Sequence, residues 1–294
     1  MKILITGGNG FIARNISERL GNKHDIINQN RRDLDLFDSQ AVSGFLNSNR
    51  FDAVIHTATY DAVPKHSGKD PARVLEYNLR MFINIANCSA SFGRMLYYGS
   101  GAEFSREHWN PGMKEDYFGS YIPQDQYGFS KFIMNEYARS SGNIYNLRLF
   151  GVFGRYEDWR VRFISNACCY AVLGLPVPVN HNKRFDFLYI DDLVNITDWF
   201  IKNDPRHHDY NICTGKSFSF LDLAERIIRI SGKKLEIRLK DKTPQAVYSG
   251  DNSRFLNESG GYSFKEMDAA LTELYEWYSS NREIIDKDKL FAEA

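Results

Sequence analysis

The chain opens on a short apolar run and then meets three glycines in four positions, reading Lys2-Ile3-Leu4-Ile5-Thr6-Gly7-Gly8-Asn9-Gly10-Phe11-Ile12-Ala13. Beyond the glycines, apolar residues recur at Phe11, Ile12, Ile16 and Leu20, the spacing of one helical face. A strand that feeds a helix through G-x-G-x-x-A (Gly8, Gly10, Ala13) leaves few architectures open. The glycines let the backbone turn tightly and approach a pyrophosphate, whose charge then faces the helix N-terminus. Such a unit needs further strands beside its first one, with helices covering both faces.

The pattern continues in that sense. Strands are expected at 25–29, 52–57, 94–98 and 144–150, and helices at 39–49 (with Ser39 as N-cap), 73–91 and 125–140. A loop of 101–122 precedes the last of these helices. The fold class is therefore α/β, a Rossmann-type doubly wound parallel sheet with a smaller C-terminal α/β substrate lobe. After Phe150 the rhythm loosens. A helix is expected at 161–173, broken by Leu175-Pro176-Val177-Pro178, and strands at 185–190 and 210–213 flank a helix at 191–202. Helices at 218–231 and 266–278, a strand at 235–239 and a mobile polar tail from Asn281 complete the expectation. Residues 1–154 would form the NAD(P)-binding Rossmann domain, with 186–214 contributing to it, and 155–294 the smaller substrate-binding lobe.

Charge narrows the partners. The 37 Lys and Arg balance 37 Asp and Glu, whereas nucleic-acid binding usually leaves a basic footprint. Local anion sites remain compatible with a zero sum. Cys88, Cys168, Cys169 and Cys213 form no C-x-x-C pair and read as buried thiols of a reducing compartment, with no metal site. No apolar run approaches the ~18 residues of a membrane span. The opening apolar run stops at Gly7, too soon for a signal peptide, so a cytoplasmic location is expected.

The end of the second strand bears on the choice of dinucleotide. An acid there usually accepts from the ribose 2′-hydroxyl of NAD, but this chain reads Asn28-Gln29-Asn30-Arg31-Arg32 before its first acid, Asp33. Arg31 and Arg32 suit the 2′-phosphate of NADP through charge-assisted bonds. NAD is the alternative, with Asp33 brought into the ribose position. Further on, Tyr127 and Lys131 stand at i and i+4, on one helical face, one helix after a strand that ends in Tyr98-Gly99-Ser100. Such a pair arises by chance about once in a chain of this composition. Its place in the order of elements gives it meaning.

These features, taken in order, resemble the extended short-chain dehydrogenase/reductase family, the nucleotide-sugar epimerase, dehydratase and reductase group. The segment from Thr6 to Ala13 is similar to the family's TGGxGFIG loop, which implies cofactor contacts from Gly7, Gly8, Asn9, Gly10, Phe11 and Ile12. Asp33-Leu34-Asp35-Leu36 resembles its adenine-binding segment, implying roles for Asp35 and Leu36. Val54-Ile55-His56-Thr57-Ala58 resembles VIHLAA and implies cofactor contacts from Thr57, Ala58 and Thr59, and Asn78 sits where the long helix carries its asparagine. Ser100, Tyr127 and Lys131 match the catalytic Ser and YxxxK, with Tyr127 and Lys131 also touching the cofactor. Arg184 opens a stretch similar to RDFxxVxD and becomes the candidate clamp for a substrate diphosphate. The resemblance further implies a homodimer formed through the helices at 73–91 and 125–140.

Within that family the residues after Ser100 separate the reactions. Dehydratases follow it with an Asp-Glu pair, where this chain has Gly101 and Ala102, both expected beside the substrate. Glu103 is one position out of step and would point away on an extended segment. An epimerase-reductase branch uses a Cys at the Ala102 position and a His that aligns near Arg162. Serine, tyrosine, lysine and cofactor alone suffice for two reactions. One is reduction of a nucleoside-diphosphate 4-keto-(6-deoxy)sugar by NAD(P)H, hydride going to C4 with Tyr127 as general acid, in polysaccharide sugar-nucleotide biosynthesis. The other is 4-epimerisation of a nucleoside-diphosphate sugar by tightly bound NAD. In this chemistry Lys131 would lower the pKa of the Tyr127 phenol. A catalytically silent NADP-binding sensor is a third reading, and such relatives often lack the Tyr or Lys retained here. The partner expected is a nucleoside-diphosphate sugar, with no nucleic acid and no membrane.

Overall fold

The computed structural model describes residues 1–62, 65–241, 243 and 247–292. Its first half alternates β1 (Lys2–Thr6), α1 (Phe11–Leu20), β2 (Asp25–Gln29), α2 (Ser39–Asn49), β3 (Phe51–His56), α3 (Val74–Ala86), β4 (Phe92–Ser100), α4 (Gln126–Ser140) and β5 (Ile144–Leu149). β6 (Gly151–Phe153), α5 (Phe163–Leu173), β7 (Val177–His181), β8 (Arg184–Tyr189) and α6 (Ile190–Lys202) then lead to β9 (Asp209–Ile212). β9 returns to the central sheet and pairs with β5, completing six parallel strands in the order β2-β1-β3-β4-β5-β9.

Both faces of that sheet are buried, which is why its strands read as near-continuous apolar runs. The period of two divides them. Ile3, Ile5, Ile55, Leu96 and Leu147 pack towards α1 and α6, while Leu4, Val54, Met95 and Tyr97 pack towards α2, α3 and α4. The remaining elements are β10 (Ser217–Ser219), α7 (Phe220–Ser231), β11 (Ile237–Asp241), β12 (Val247–Tyr248), α8 (Ser253–Ser259), α9 (Met267–Ser280) and α10 (Lys287–Ala292). Here β8 carries β10 antiparallel and β6 and β12 parallel, β7 pairs with β11, and α5, α7 and α9 pack together.

Several expectations change. The N-cap of α2 is Asp38, whose carboxylate accepts from Gln40 N at 2.9 Å and Ala41 N at 3.0 Å, and Ser39 is already helical. The helix from 73 stops at Ala86, and a 3-10 turn at Ser89–Ser91 precedes a nine-residue β4 that runs on to Ser100. The helix before the prolines already ends at Leu173 on a left-handed Gly174, and Val177-Pro178 opens β7, whose partner strand β11 pairs with it in parallel register. The polar tail forms α10, which buries Leu290 completely. Gly101–Phe104 is a 3-10 turn, so Glu103 is not on an extended segment. It turns into the interior instead. Among the described residues no helix is long and apolar enough to cross a membrane. Cys168, Cys169 and Cys213 are buried free thiols, pushed up in pKa by burial.

Candidate active site

At the carboxyl end of β1 the chain turns through Gly7, whose φ of 71° lies in the left-handed region. A Cβ there would sit 2.8 Å from the Ala58 Cα, and one on Gly8 would sit 2.3 Å from Asn28 Oδ1. Asn28 Nδ2 in turn donates to the Gly8 carbonyl at 3.2 Å, tying the turn to β2. α1 then begins at Gly10 without a side-chain cap, leaving its first-turn N–H groups for an anion. A bare backbone turn running into an uncapped helix fits the diphosphate of a dinucleotide.

Gly10, Phe11, Ile12, Thr57, Ala58, Thr59, Ser100, Tyr127 and Lys131 line one cleft of about 580 Å³. The other expected residues stand around or behind it. Asn78 is buried and accepts from Tyr60 N at 2.7 Å while donating to Tyr60 O at 3.1 Å, so it holds the segment after β3 that carries Thr59. Gly101 and Ala102 are buried, and a side chain on Gly101 would strike Phe150 and Tyr248. Asp35 accepts from Phe37 N at 3.0 Å, and buried Leu36 accepts from Asn84 Nδ2 at 2.8 Å. Arg31 and Arg32 are exposed at the end of β2, with the Arg31 guanidinium 5.1 Å from the Phe37 ring centroid. Asp33 accepts from Asn30 N at 3.1 Å. Exposed Arg184 donates to Ser217 Oγ at 2.9 Å and does not line the cleft, whereas Lys183 does.

The central group is built by two elements. β4 ends at Ser100, whose Oγ accepts from Ala102 N at 3.2 Å and stands 3.3 Å from the Tyr248 hydroxyl. α4, capped by Asp125 through Gly128 N at 2.9 Å, presents Tyr127 and, one turn on, Lys131. Lys131 is buried, donates to Tyr98 O at 2.9 Å, and keeps its ammonium 5.8 Å from the Tyr127 ring centroid. Burial holds Lys131 down to about 8, against the raising effect of Glu103. Burial and the charge of Asp61 push Tyr127 above the ordinary phenol value, with Ser100, Arg162 and Arg106 acting the other way. The expected lowering of this phenol rests on Lys131 together with the positive charge of an oxidised nicotinamide, and the protein's own groups act on balance in the opposite sense. Lys131 is turned to a backbone carbonyl, and desolvation outweighs the nearby cations.

Beneath Ser100 lies a charge network that Glu103 joins. Its carboxylate accepts from Ser100 N at 3.0 Å, from Arg148 Nε at 2.9 Å and from Asn146 Nδ2 at 3.0 Å. Arg148 has no exposure and also binds Asp209 at 3.0 Å and Asn211 at 2.9 Å on β9. His56, Glu157, Asp158, Arg162, Lys183 and Phe185 belong to the cleft as well. Thr6 Oγ1 and His56 Nδ1 share a hydrogen bond of 2.8 Å, and burial with nearby Lys131 holds this imidazole down to about 3, hence neutral. Arg162 donates to Asp61 at 2.8 Å and His66 Nε2 lies 3.0 Å from Asp158, so an ion pair and an imidazole–carboxylate contact join the segment after β3 to the one after β6. Tyr248 stacks on Trp109 with centroids 4.0 Å apart. Glu157, Asp158, Arg162 and Lys183 lie outside regular helices and strands, where no periodicity announces them.

The family model for NAD dependent epimerase/dehydratase proteins matches residues 3–213. A GDP-6-deoxy-D-talose 4-dehydrogenase from Aggregatibacter actinomycetemcomitans is 26% identical, over 94% of this chain and 97% of its own length. An ADP-L-glycero-D-manno-heptose-6-epimerase from Brachyspira hyodysenteriae is 25% identical, over 76% and 80% respectively. In structure, the GDP-mannoheptose C4 reductase of Campylobacter jejuni, solved with NADP bound, superposes with a TM-score of 0.80 at 20% identity, covering 94% of this chain and 98% of that one. The relatives are thus nucleotide-sugar epimerases and reductases. With its ordered motifs and a match over most of its length, the chain belongs to the NAD dependent epimerase/dehydratase family, among the extended short-chain dehydrogenase/reductase enzymes.

Proposed function

We propose that this enzyme reduces the 4-keto group of a nucleoside-diphosphate 4-keto-(6-deoxy)sugar, using NADPH, in the supply of sugars for polysaccharides. The observation that carries the reading is the meeting of Ser100, Tyr127 and Lys131 with the glycine turn in one cleft whose neighbouring 101–102 positions bear no acid or base. Exposed Arg31 and Arg32 at the end of β2, with Asp33 engaged on Asn30, favour the 2′-phosphate of NADP over NAD. NADPH, when bound, supplies the hydride that goes to C4. Ser100 Oγ holds the sugar carbonyl oxygen, and Tyr127 passes its phenolic proton to that oxygen as the C4–H bond forms. A phenol held above its usual pKa is fully protonated at neutral pH, as an acid in the reducing direction must be. Lys131 keeps a proton at Nζ beside it. The diphosphate is read in the lobe of residues 155–294, where Lys183 lines the cleft beside Phe185. A homodimer through the outer faces of α3 and α4, where Ile83 and Tyr137 are exposed, completes the reading.

The test is NADPH oxidation against a panel of GDP-, UDP- and dTDP-linked 4-keto-6-deoxyhexoses, with product identified by chromatography. Turnover is expected with at least one, and Tyr127→Phe should lower kcat by ~10²–10⁴ while NADPH still binds. Conversion of a sugar nucleotide to its 4-epimer without added cofactor, and no NADPH oxidation, would replace this reading with the epimerase.

A further inference from the structure

Glu157 lines the same cleft as the catalytic group, yet the reaction above makes no use of it. Its side chain is buried, and only one carboxyl oxygen is engaged: Ser165 Oγ donates to Oε2 at 2.6 Å. Among the described residues Oε1 has no hydrogen-bond partner, and it is not sealed from the cleft. Arg162 is near enough to act on it electrostatically but gives its hydrogen bond to Asp61 instead. Burial without a bonded cation pushes the carboxyl up to about 8, so it stays protonated at neutral pH with a hydrogen to donate.

The backbone that delivers this acid is strained. Tyr156 has φ 72°, a left-handed conformation that is strained for a bulky residue and persists where its surroundings over-determine it. They do so here. The Tyr156 ring carries the Arg14 guanidinium 3.7 Å from its centroid and meets Trp277 edge-on at 5.5 Å. Next to it, Arg155 O accepts from buried Asn15 at 2.9 Å. Arg14 and Asn15 belong to α1, the helix that begins at the glycine turn. The turn bearing Glu157 is thereby fastened to the cofactor side of the cleft. Packing alone would be met by an apolar residue at 157 and a relaxed backbone at 156.

We propose that Glu157 is a specificity-determining residue that donates a hydrogen bond from its carboxyl group to a hydroxyl oxygen of the sugar. The assignment rests on the cleft being a sugar-nucleotide site. Its test needs no turnover. The NADP-loaded wild-type, Glu157→Gln and Glu157→Leu proteins are titrated with GDP-6-deoxy-D-talose, UDP-glucose and dTDP-rhamnose. The glutamine amide can accept from Ser165 and still donate, so E157Q should bind the best of these within about threefold of wild type. E157L should bind it at least about tenfold more weakly, with NADP affinity unchanged, as expected for loss of a buried donor. Equal binding by wild type and E157L overturns the proposal alone, as does an E157Q as weak as E157L, which would call for a carboxylate. Failure of wild type to bind any of the three overturns the sugar-nucleotide reading and this inference with it. Should E157L not fold, the wild-type-minus-E157Q infrared difference must show a protonated-carboxyl band that shifts on adding the probe. An absent or unmoved band overturns the proposal equally.

Discussion

At the scale of single residues, burial acts on Lys131 and Glu157 in opposite senses and brings both to about 8. The consequences for stability also run in opposite directions. Folded Glu157 holds its proton between about 4.5 and 8 while the unfolded chain has released it, so its contribution to stability is lost as pH rises through that window. Folded Lys131 has released its proton between about 8 and 10.5 where the unfolded chain keeps it, so its burden is relieved as pH rises there. The measurable outcome is a Glu157→Gln protein whose urea stability falls less than wild type between pH 5 and 8. Parallel curves for the two would show Glu157 ionised throughout. Glu103 invites a different substitution. With Arg148 left fully buried, Glu103→Ala should cost ~3–5 kcal/mol, and kcat should fall too because Ser100 N loses its acceptor. A loss under 1 kcal/mol in urea melts would mean Asp209 and Asn211 suffice for the guanidinium.

At the scale of elements, caps and alternation decide what a linear reading recovers. Asp38→Ala should remove ~1 kcal/mol because two α2 N–H groups lose their acceptor, whereas Ser39→Ala should stay within ~0.5 kcal/mol. Equal effects of the two in chemical denaturation would return the cap to Ser39. Adjacent serine and aspartate are equally good candidates in sequence, and only backbone geometry separates them. The parallel strands and their helices were legible because hydrophobic period survives in the linear chain. Ser100, Tyr127 and Lys131 were legible because a strand end and one helical turn bring them together locally. Lys183 and Arg184 show where this stops. Residues 183, 185 and 187 line the cleft while Arg184 faces solvent, an alternation knowable only once the start and facing of β8 are known. Glu157 and Tyr248 lay further out of reach, being delivered by a strained turn and a two-residue strand.

For the whole molecule, the C-terminal segment is part of the core rather than an appendage. Leu290 is completely buried, and its carbonyl accepts from the Tyr170 hydroxyl at 3.4 Å. Ending the chain after Ile285 should therefore lower stability by ~2–3 kcal/mol, the worth of one buried leucine and its contacts. An unchanged urea midpoint would show that α10 is dispensable.

The place of β9 has a temporal consequence. β5 is finished at Leu149, but the neighbour that covers its edge begins only at Asp209, after β6, α5, β7, β8 and α6 have been made. At ~5–20 residues per second of synthesis, the nascent sheet waits several seconds with one edge bare. During that interval Arg148 has Glu103 as its partner but neither Asp209 nor Asn211. The central sheet of this enzyme therefore cannot be completed on the ribosome until residues 150–208 have been made, because its last strand follows them in the chain.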